Sequence, residues 1–296
     1  MLVEDGRAAG VEAVYADPEA RPGDGAPTRV VVRAPAVVVA CGAIESPALL
    51  LRSGIGGPAA GDFLRLHPTA AVTAYYPEHQ NWSWGPPQAA LSHEFANLGD
   101  GHGFLIESAQ STTGLFAGAV PWRSGADHKR RMKEWARSAP LINLTREQGH
   151  GQVTLDDAGN AVTHYPMTDE VDIRNIRAGV ETLIRIHEAA GAEEIVGSAR
   201  KSGDWRRGDD LDAFVADVTS QPIAPQEFIL FSAHQMGSCR MGTDPESSVA
   251  DARGELHDVP GVWIGDGSAF PSPSGTNPML TIMALARRTA HAIAAG

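Results

Sequence analysis

Short apolar runs separated by turn residues occupy the first part of the sequence. Residues 9–15 alternate in part between apolar and polar side chains, and residues 29–33 and 37–40 are rich in valine. Each of these runs predicts a short strand. Residues 37–40 are apolar on both faces, which is typical of a strand inside a parallel sheet. Residues 16–28 are rich in Pro, Gly and Asp and predict a loop.

A helix is predicted directly after the strand at residues 37–40. Cys41, Gly42 and Ala43 form a turn of small residues, Ser46 and Pro47 fit the N-cap and first helical positions, and Gly54 fits the position after the helix. A strand, a small-residue turn and a helix start can form a crevice for a nucleotide at the carboxyl edge of a sheet. The alternative is an ordinary connection between a strand and a helix.

From about residue 67 to residue 223 the pattern changes to a mixture of strands and helices. An amphipathic helix is predicted from an N-cap at Thr168 or Asp169 to Gly191, with apolar residues at a period of 3.6. Strands are predicted at residues 69–76, 141–145, 152–155 and 161–165, the last two joined by a turn at 156–160. This pattern predicts a mostly antiparallel sheet with helices on one side.

The apolar run at residues 228–231 predicts a short buried strand that leads into a loop with one histidine, His234. Gly237 and Gly242 follow it and permit tight backbone paths and close approach to a ligand. A histidine in this position is suited to acid–base chemistry near neutral pH. The alternative is a buried histidine that only satisfies its hydrogen bonds.

The last 36 residues contain a second candidate site. Residues 262–264 predict a strand that ends in Gly265-Asp266-Gly267-Ser268, and Asn277 and Pro278 fit the N-cap and first position of a final helix. The positive end of that helix could hold negative charge; the alternative is that Asn277 only caps the helix. The residues assigned to the buried side of this helix are Leu280, Met283, Leu285, Ala286 and Ile293.

Composition excludes several functions. A chain of 296 residues suits one or two domains, and a net charge of −12 with scattered acidic residues argues against nucleic acid or an anionic membrane as the main partner. No apolar run is long enough to predict a membrane span. The histidines show no spacing typical of a metal site, so we expect no metal. Cys41 and Cys239 fit free thiols in a reducing compartment, and the charged N-terminus is no signal peptide, so we expect a cytoplasmic location.

A basic cluster lies on a predicted helix around residues 129–133. It contains Lys129, Arg130, Arg131 and Lys133, with Asp127 and Glu134 among them. Because charges of both signs are interspersed, we interpret the cluster as a solvated helix face and not as a binding patch.

Three segments together resemble the glucose–methanol–choline (GMC) family of flavoprotein oxidoreductases. Residues 231–242 read F-S-A-H-Q-M-G-S-C-R-M-G and are most similar to the long-chain alcohol oxidase branch. Residues 40–56 are similar to the family signature G-A-x-x-[ST]-P-x-L-L-x-x-S-G-I-G, and residues 261–296 are similar to the family's C-terminal segment. The three motifs occur in the family's order.

The resemblance implies an oxidoreductase that acts on CH–OH groups with FAD as cofactor. It implies oxidation of a primary or hydrophobic alcohol to an aldehyde, with hydride transfer to flavin N5, His234 as the base, and Asn277 holding the substrate oxygen. Asp266 is expected near the ribityl chain or pyrophosphate, through hydroxyl or backbone contacts. The cofactor-binding residues that the resemblance implies are Cys41, Gly42, Ala43, Gly265, Asp266, Asn277, Pro278 and Met279.

The expected fold is α/β in the broad sense that includes α+β. A partial doubly wound FAD-binding domain would comprise residues 1–66 and 224–296, and a substrate-binding domain would comprise residues 67–223. The family's G-x-G-x-x-G turn after a strand is missing, since the nearest string, at residues 54–59, follows a helix and contains Pro58. We therefore expect either an enzyme that needs an N-terminal FAD-binding chain or upstream segment, or a truncated, non-catalytic remnant.

Overall fold

The computed structural model describes residues 1–17, 19, 27–110 and 112–296, so most of the loop predicted at 16–28 lies outside the described residues. The described chain divides into two compact units. Unit 1 contains residues 1–65, 150–165 and 234–296, and unit 2 contains residues 66–149 and 166–233.

Strands and helices occur in both units. In chain order the strands are β1 (Leu2–Glu4), β2 (Arg7–Tyr15), β3 (Thr28–Arg33), β4 (Val37–Val39), β5 (Thr69–Tyr75), β6 (Leu91–Ser92), β7 (Gly103–Ser108), β8 (Ser138–Arg146), β9 (Gln152–Leu155), β10 (Ala161–His164), β11 (Glu194–Val196), β12 (Asp204–Arg206) and β13 (Val262–Ile264). The α-helices are α1 (Gly42–Ser53), α2 (Thr113–Ala119), α3 (Gly125–Lys133), α4 (Glu170–Ala189), α5 (Leu211–Ser220) and α6 (Met279–Ala295).

Unit 1 is built around a parallel pair of strands. β4 pairs with β13 in parallel, with Val37 opposite Val262 and Val39 opposite Ile264, so the parallel pairing predicted for residues 37–40 is confirmed. β1, β2 and β3 form a separate antiparallel sheet. Val39 and Ile264 are buried in the core of the unit, whereas Val38 is exposed. The expectation that β4 is buried on both faces is therefore wrong for one face, because the described elements of this unit leave Val38 uncovered.

Unit 2 is a six-stranded sheet with the order β12-β11-β5-β8-β7-β6, in which every neighbouring pair is antiparallel. Helix α4 packs on one face and buries Val180 and Leu183 in a cluster with Val72 and Phe104. The Asp169 carboxylate caps α4 by accepting the backbone N–H groups of residues 171 and 172. The predicted antiparallel sheet with flanking helices is confirmed.

The compact units differ from the predicted domain boundaries in two places. The β9–β10 hairpin belongs to unit 1, because it packs on α1 and Gly159 accepts a 3.0 Å hydrogen bond from the Arg52 guanidinium. Residues 224–233 belong to unit 2, where Phe231 and Thr69 exchange two backbone hydrogen bonds of 3.0 Å. The functional division into a cofactor domain and a substrate domain stays a prediction.

Two predicted elements differ from the structure. Residues 228–231 form no strand: Phe228 bridges Ala199 and Phe231 bridges Thr69, so the segment pairs with each neighbour at one residue only. Of the five residues assigned to the buried side of helix α6, Leu285, Ala286 and Ile293 are half-buried, whereas Leu280 and Met283 are exposed. The contact side of α6 is anchored by the Thr289 hydroxyl, which donates toward the carbonyls of residues 253 and 264. None of the helices in the described part of the chain is long and apolar enough to cross a membrane.

Candidate active site

The turn between β4 and α1 is held by hydrogen bonds that the sequence pattern does not predict. The helix begins at Gly42 with Cys41 as N-cap, so Ser46 and Pro47 lie inside it and not at its start. Pro47 has no N–H to donate to the carbonyl of Ala43, four residues earlier. The Ser238 hydroxyl donates to that carbonyl instead, at 2.5 Å. The helix can therefore start five residues earlier than expected, because a distant serine satisfies the carbonyl.

Asp266 ties this turn to the segment after β13. One carboxylate oxygen accepts the N–H of Gly42 at 2.9 Å and the hydroxyl of Ser46 at 2.5 Å. The other oxygen accepts the N–H and the hydroxyl of Ser268, at 2.8 and 2.5 Å. A carboxylate has about four acceptor positions, and these four donors fill them. Asp266 thus acts within the chain as a link between two turns.

The histidine loop joins the same cluster. Gly237, Cys239 and Met241 donate their backbone N–H groups to the carbonyls of residues 267, 268 and 269, at 3.1, 2.9 and 3.0 Å. Gly237 has a φ of 84°, and a side-chain carbon there would lie 2.7 Å from the carbonyl oxygen of Phe63, so only glycine fits this crossing. Three segments far apart in sequence therefore meet in unit 1: residues 41–46, 237–241 and 265–269.

His234 lies three residues before Gly237 and is half-buried. Burial lowers the pKa of its imidazole below the usual value, because the charged form loses hydration. At neutral pH the ring is therefore uncharged and can accept a proton through one nitrogen. Two residues further on, Met236 exchanges backbone hydrogen bonds of 2.8 and 2.9 Å with Arg65, which fixes the path of the loop.

A charged and aromatic cluster lies beside this loop and carries no signal in the sequence. The Arg240 guanidinium lies 3.3 Å from the centre of the Phe63 ring, and the His150 ring stacks on Phe63 with 5.0 Å between ring centres. Burial lowers the pKa of both Arg240 and His150, and the nearby charge of Arg65 lowers each further. Because Phe63, His150 and Arg240 are far apart in sequence, only the fold brings them together.

The other predicted site residues lie at the start of α6. The helix begins at Met279 with Pro278 as N-cap, one residue later than the sequence predicts, and no side chain caps it. Pro278 has φ −84° and ψ −8°, and its carbonyl accepts the N–H of Ile282 at 2.8 Å, so it already has helical geometry. The N-cap position predicted for Asn277 is therefore wrong by one residue, since the following proline takes it.

These residues can be tested against the FAD that the resemblance implies. The N-terminus of α6, where Pro278 makes no side-chain cap, carries partial positive charge, and this fits a reduced flavin with negative charge. Cys41 is exposed at the start of α1. The Asp266 carboxylate, in contrast, is filled by donors of its own chain, so a contact with a ribityl hydroxyl does not fit it. Sequence reasoning missed Ser46, Ser238 and Ser268 as partners, although all three lie inside the motifs.

Two family models, both described as GMC oxidoreductase, match the chain at residues 1–69 and 147–286. A long-chain-alcohol oxidase from Arabidopsis thaliana is 34% identical over 273 residues, covering 86% of this chain and 36% of that protein. Paromamine 6'-oxidase from Streptomyces fradiae is 29% identical over 287 residues, covering 89% of this chain and 46% of that protein.

Solved structures show the same fold. Pyridoxine 4-oxidase from Mesorbium loti matches with a TM-score of 0.69 at 18% identity, over 99% of this chain and 56% of that one. A formate oxidase variant from Aspergillus oryzae RIB40 matches with a TM-score of 0.72 at 16% identity, over 99% and 59%. The chain thus spans about a third of the long-chain-alcohol oxidase it matches and a little over half of these solved chains. The sequence matches and the shared fold establish that the chain belongs to the GMC oxidoreductase family.

Proposed function

We propose that this chain supplies the acid–base residues and part of the cofactor site of an FAD-dependent alcohol oxidation. The observation that carries the proposal is the meeting of three segments, residues 41–46, 237–241 and 265–269, in one hydrogen-bonded cluster. Each of these segments lies in one of the three motifs shared with GMC flavoenzymes, and His234 and the start of α6 belong to the same unit.

His234 is the proposed base. An alcohol becomes a better hydride donor when its hydroxyl proton is removed, and a neutral imidazole near pH 7 is suited to take that proton. The lowered pKa of His234 keeps the ring neutral before the alcohol arrives. When bound, FAD supplies the hydride acceptor at flavin N5. His234 holds the proton on its ring until the aldehyde leaves.

Asn277 is the proposed partner of His234. Its side-chain amide donates a hydrogen bond to the substrate oxygen and orients the carbinol carbon. The uncapped first turn of α6 lies next to it in sequence, and the positive end of that helix stabilises negative charge on the cofactor ring. Pro278 and Met279 then contact the cofactor as part of that turn.

The remaining proposed cofactor contacts come from backbone groups. Cys41, Gly42 and Ala43 face the cofactor at the start of α1, and Gly265 and Asp266 do so at the end of β13. Since the Asp266 carboxylate is filled by four donors, its role is to fix these two turns relative to each other. A rigid pair of turns keeps the site in one geometry and limits the reorganisation needed when the cofactor binds.

A primary, hydrophobic alcohol is the proposed substrate. The support is the name of the relatives that match at 30–34% identity, which are long-chain-alcohol oxidases from Arabidopsis thaliana. The oxidised product is an aldehyde.

A second candidate is that the chain acts only with an N-terminal FAD-binding chain, or is a remnant without activity of its own. Exposed apolar side chains in unit 1 favour this candidate. Val38 on β4 and Leu280 and Met283 on α6 are exposed, although strand and helix positions of this kind are usually covered in a complete α/β domain. A partner that pairs with β4 and covers α6 would remove this exposure.

Visible absorbance separates the two candidates. The purified chain is incubated with FAD and desalted, and the flavin bands are recorded before and after anaerobic addition of 1-dodecanol. Retained bands that bleach with alcohol support catalysis by this chain. A colourless protein supports the second candidate, and flavin retention should then appear on co-expression with a chain that carries a strand, a G-x-G-x-x-G turn and a helix.

The role of His234 is tested in whichever preparation retains flavin. His234→Ala should slow alcohol-dependent bleaching by about 100-fold or more with unchanged flavin content. His79→Ala, at an exposed histidine, serves as the matched control and should leave the rate unchanged. Bleaching at a near-normal rate in His234→Ala would reject the assignment.

A further inference from the structure

Two segments of unit 2 contain no charged residue. Residues 79–93 and 108–122 have no Asp, Glu, Lys or Arg, although these residues make up 20% of the chain. Both segments are rich in aromatic, aliphatic and small residues. A water-exposed surface normally carries interspersed charges, so two long charge-free segments in an acidic protein call for a physical reason.

The fold brings these two segments together. The Trp82 ring packs against Phe116 of α2 with 5.6 Å between ring centres. Gln110 donates a side-chain hydrogen bond of 2.8 Å to the carbonyl of Ser83 and a backbone hydrogen bond of 2.9 Å to that of Pro87. The loop after β5 thus packs against helix α2, and both contribute to the surface of unit 2.

Large apolar side chains on this surface point into solvent. Trp84 is 88% exposed, Leu115 on α2 is 67% exposed and Trp122 is 53% exposed. We name these three residues the α2 patch. Trp82, two residues before Trp84, and Phe116, next to Leu115, pack in a small core. Packed aromatic rings therefore hold the segments that carry these two patch residues. Exposed tryptophans are costly in water and are typical of surfaces that contact the interfacial layer of a lipid bilayer.

Helix α3 adds positive charge next to the patch. The Trp122 ring packs against His128 of α3 in a tilted arrangement, with 5.1 Å between ring centres. The whole sequence contains three lysines, and two of them, Lys129 and Lys133, are one turn apart on α3 and exposed. The third, Lys201, pairs with Glu227 at 2.7 Å.

The two arginines of α3 already form ion pairs with carboxylates of the same unit. Arg131 is fully buried and pairs with Asp127 and Asp204 at 2.8 and 2.7 Å, while Arg130 pairs with Glu194 at 2.7 Å. Among the described residues, Lys129 and Lys133 form no ion pair. The basic cluster is therefore divided: its arginines hold α3 to the sheet, and its lysines face solvent beside the apolar patch.

We propose that the α2 patch docks on the surface of a lipid bilayer that contains anionic lipid. Trp84, Leu115 and Trp122 enter the interfacial layer, and Lys129 and Lys133 contact the headgroup phosphates. The net charge of −12 is spread over the whole chain and is screened beyond about 8 Å at physiological salt, so the local lysines decide the contact. The proposal is independent of the oxidation proposed above.

Flotation with lipid vesicles tests the proposal. The probe is vesicles of phosphatidylcholine with about 30 mol% phosphatidylglycerol, which represent an anionic bilayer surface. The purified chain should float with them, and its tryptophan emission should shift to the blue and be quenched by spin-labelled lipid.

Trp84→Ser/Leu115→Ser should reduce the bound fraction at least about tenfold. Lys129→Gln/Lys133→Gln should reduce it about tenfold and abolish the preference over pure phosphatidylcholine.

The matched control is Leu280→Ser/Met283→Ser, which removes two apolar side chains of unit 1 that are also more than half exposed. It should leave flotation unchanged. The proposal is overturned if the wild-type chain does not float, or if the control lowers binding as much as the patch variant does. It is also overturned if the wild-type chain forms a dimer in solution that Trp84→Ser/Leu115→Ser dissociates while vesicles bind neither protein, since the patch would then be a self-interface.

Discussion

His187 is the clearest case in which one side chain links folding to pH. It projects from α4 into the core of unit 2, where its Nε2 is 3.1 Å from the Val72 carbonyl oxygen and its Nδ1 is 2.8 Å from the Tyr76 hydroxyl. The carbonyl can only accept, so Nε2 carries the proton and Nδ1 accepts from the tyrosine. Burial lowers the pKa of His187 to about 4, because a charged ring would lose its hydration.

This arrangement predicts a loss of stability in acid. The unfolded chain protonates His187 below about pH 6.5, whereas the folded chain resists until about pH 4. The contribution of His187 is therefore complete above pH 6.5 and falls by about 3 kcal/mol as the pH drops to 4. Urea unfolding at several pH values measures this effect. The unfolding free energy of the wild type should fall more steeply between pH 6.5 and pH 4 than that of His187→Gln. Parallel curves for the two proteins would show that His187 does not titrate in this way.

The sequence could place His187 but not explain it. The 3.6-residue period of α4 puts it on the same face as Val180 and Leu183, and it is buried there. Its two hydrogen bonds come from β5 and the residue after it, more than a hundred positions earlier. Periodicity within one helix contains no information about such partners.

Among the elements, α1 shows how a distant side chain resets a boundary. Local signals favour a start at Ser46-Pro47, because serine and proline are common at the first positions of a helix. The structure starts the helix at Gly42, with Ser46 bound to Asp266 and the Ala43 carbonyl bound to Ser238. The end of the same helix follows the local signal, since Gly54 adopts φ 66° and its N–H reaches the carbonyls of residues 50 and 51.

Pro47 and Ser238 should therefore be energetically coupled. Ser238→Ala removes the donor to a buried carbonyl and should cost about 1–2 kcal/mol of unfolding free energy. Pro47→Ala in the same protein restores a backbone N–H that can reach the Ala43 carbonyl, so the double variant should be more stable than the sum of the single changes predicts. A double-mutant cycle in urea measures the coupling. Additivity within about 0.3 kcal/mol would contradict it.

Helix α6 and residues 228–231 mark the limit of prediction at this scale. Apolar side chains at helical spacing predict α6 correctly, but the side with Leu280 and Met283 is exposed. The run of four apolar residues at 228–231 predicts a strand, but it makes one bridge at each end. In both cases the pattern shows that apolar surface exists, and only the neighbouring elements decide whether it is covered.

For the whole molecule, net charge and exposed apolar surface have opposite effects on self-association. A net charge of −12 opposes self-association through long-range repulsion, and salt weakens this repulsion. Unit 1 nevertheless exposes Val38 on the parallel pair of strands and Leu280 and Met283, at 73% and 61%, on α6. Surfaces of this kind favour association once charge repulsion is screened.

The purified chain should therefore associate in a salt-dependent way through unit 1. Raising the ionic strength from about 0.05 to 0.5 M shortens the screening length severalfold, so the weight-average mass from light scattering should rise with salt. Leu280→Ser/Met283→Ser should suppress this rise while leaving the thermal midpoint nearly unchanged, because side chains this exposed contribute little burial to folding.

Ile186→Ser, at a partly exposed apolar position on α4 of unit 2, should leave the salt-dependent association as it is in the wild type. If the Ile186 variant suppresses association as strongly as the α6 variant does, the contact does not lie on unit 1. If the weight-average mass is independent of salt in all three proteins, charge repulsion is not what prevents copies of the chain from associating.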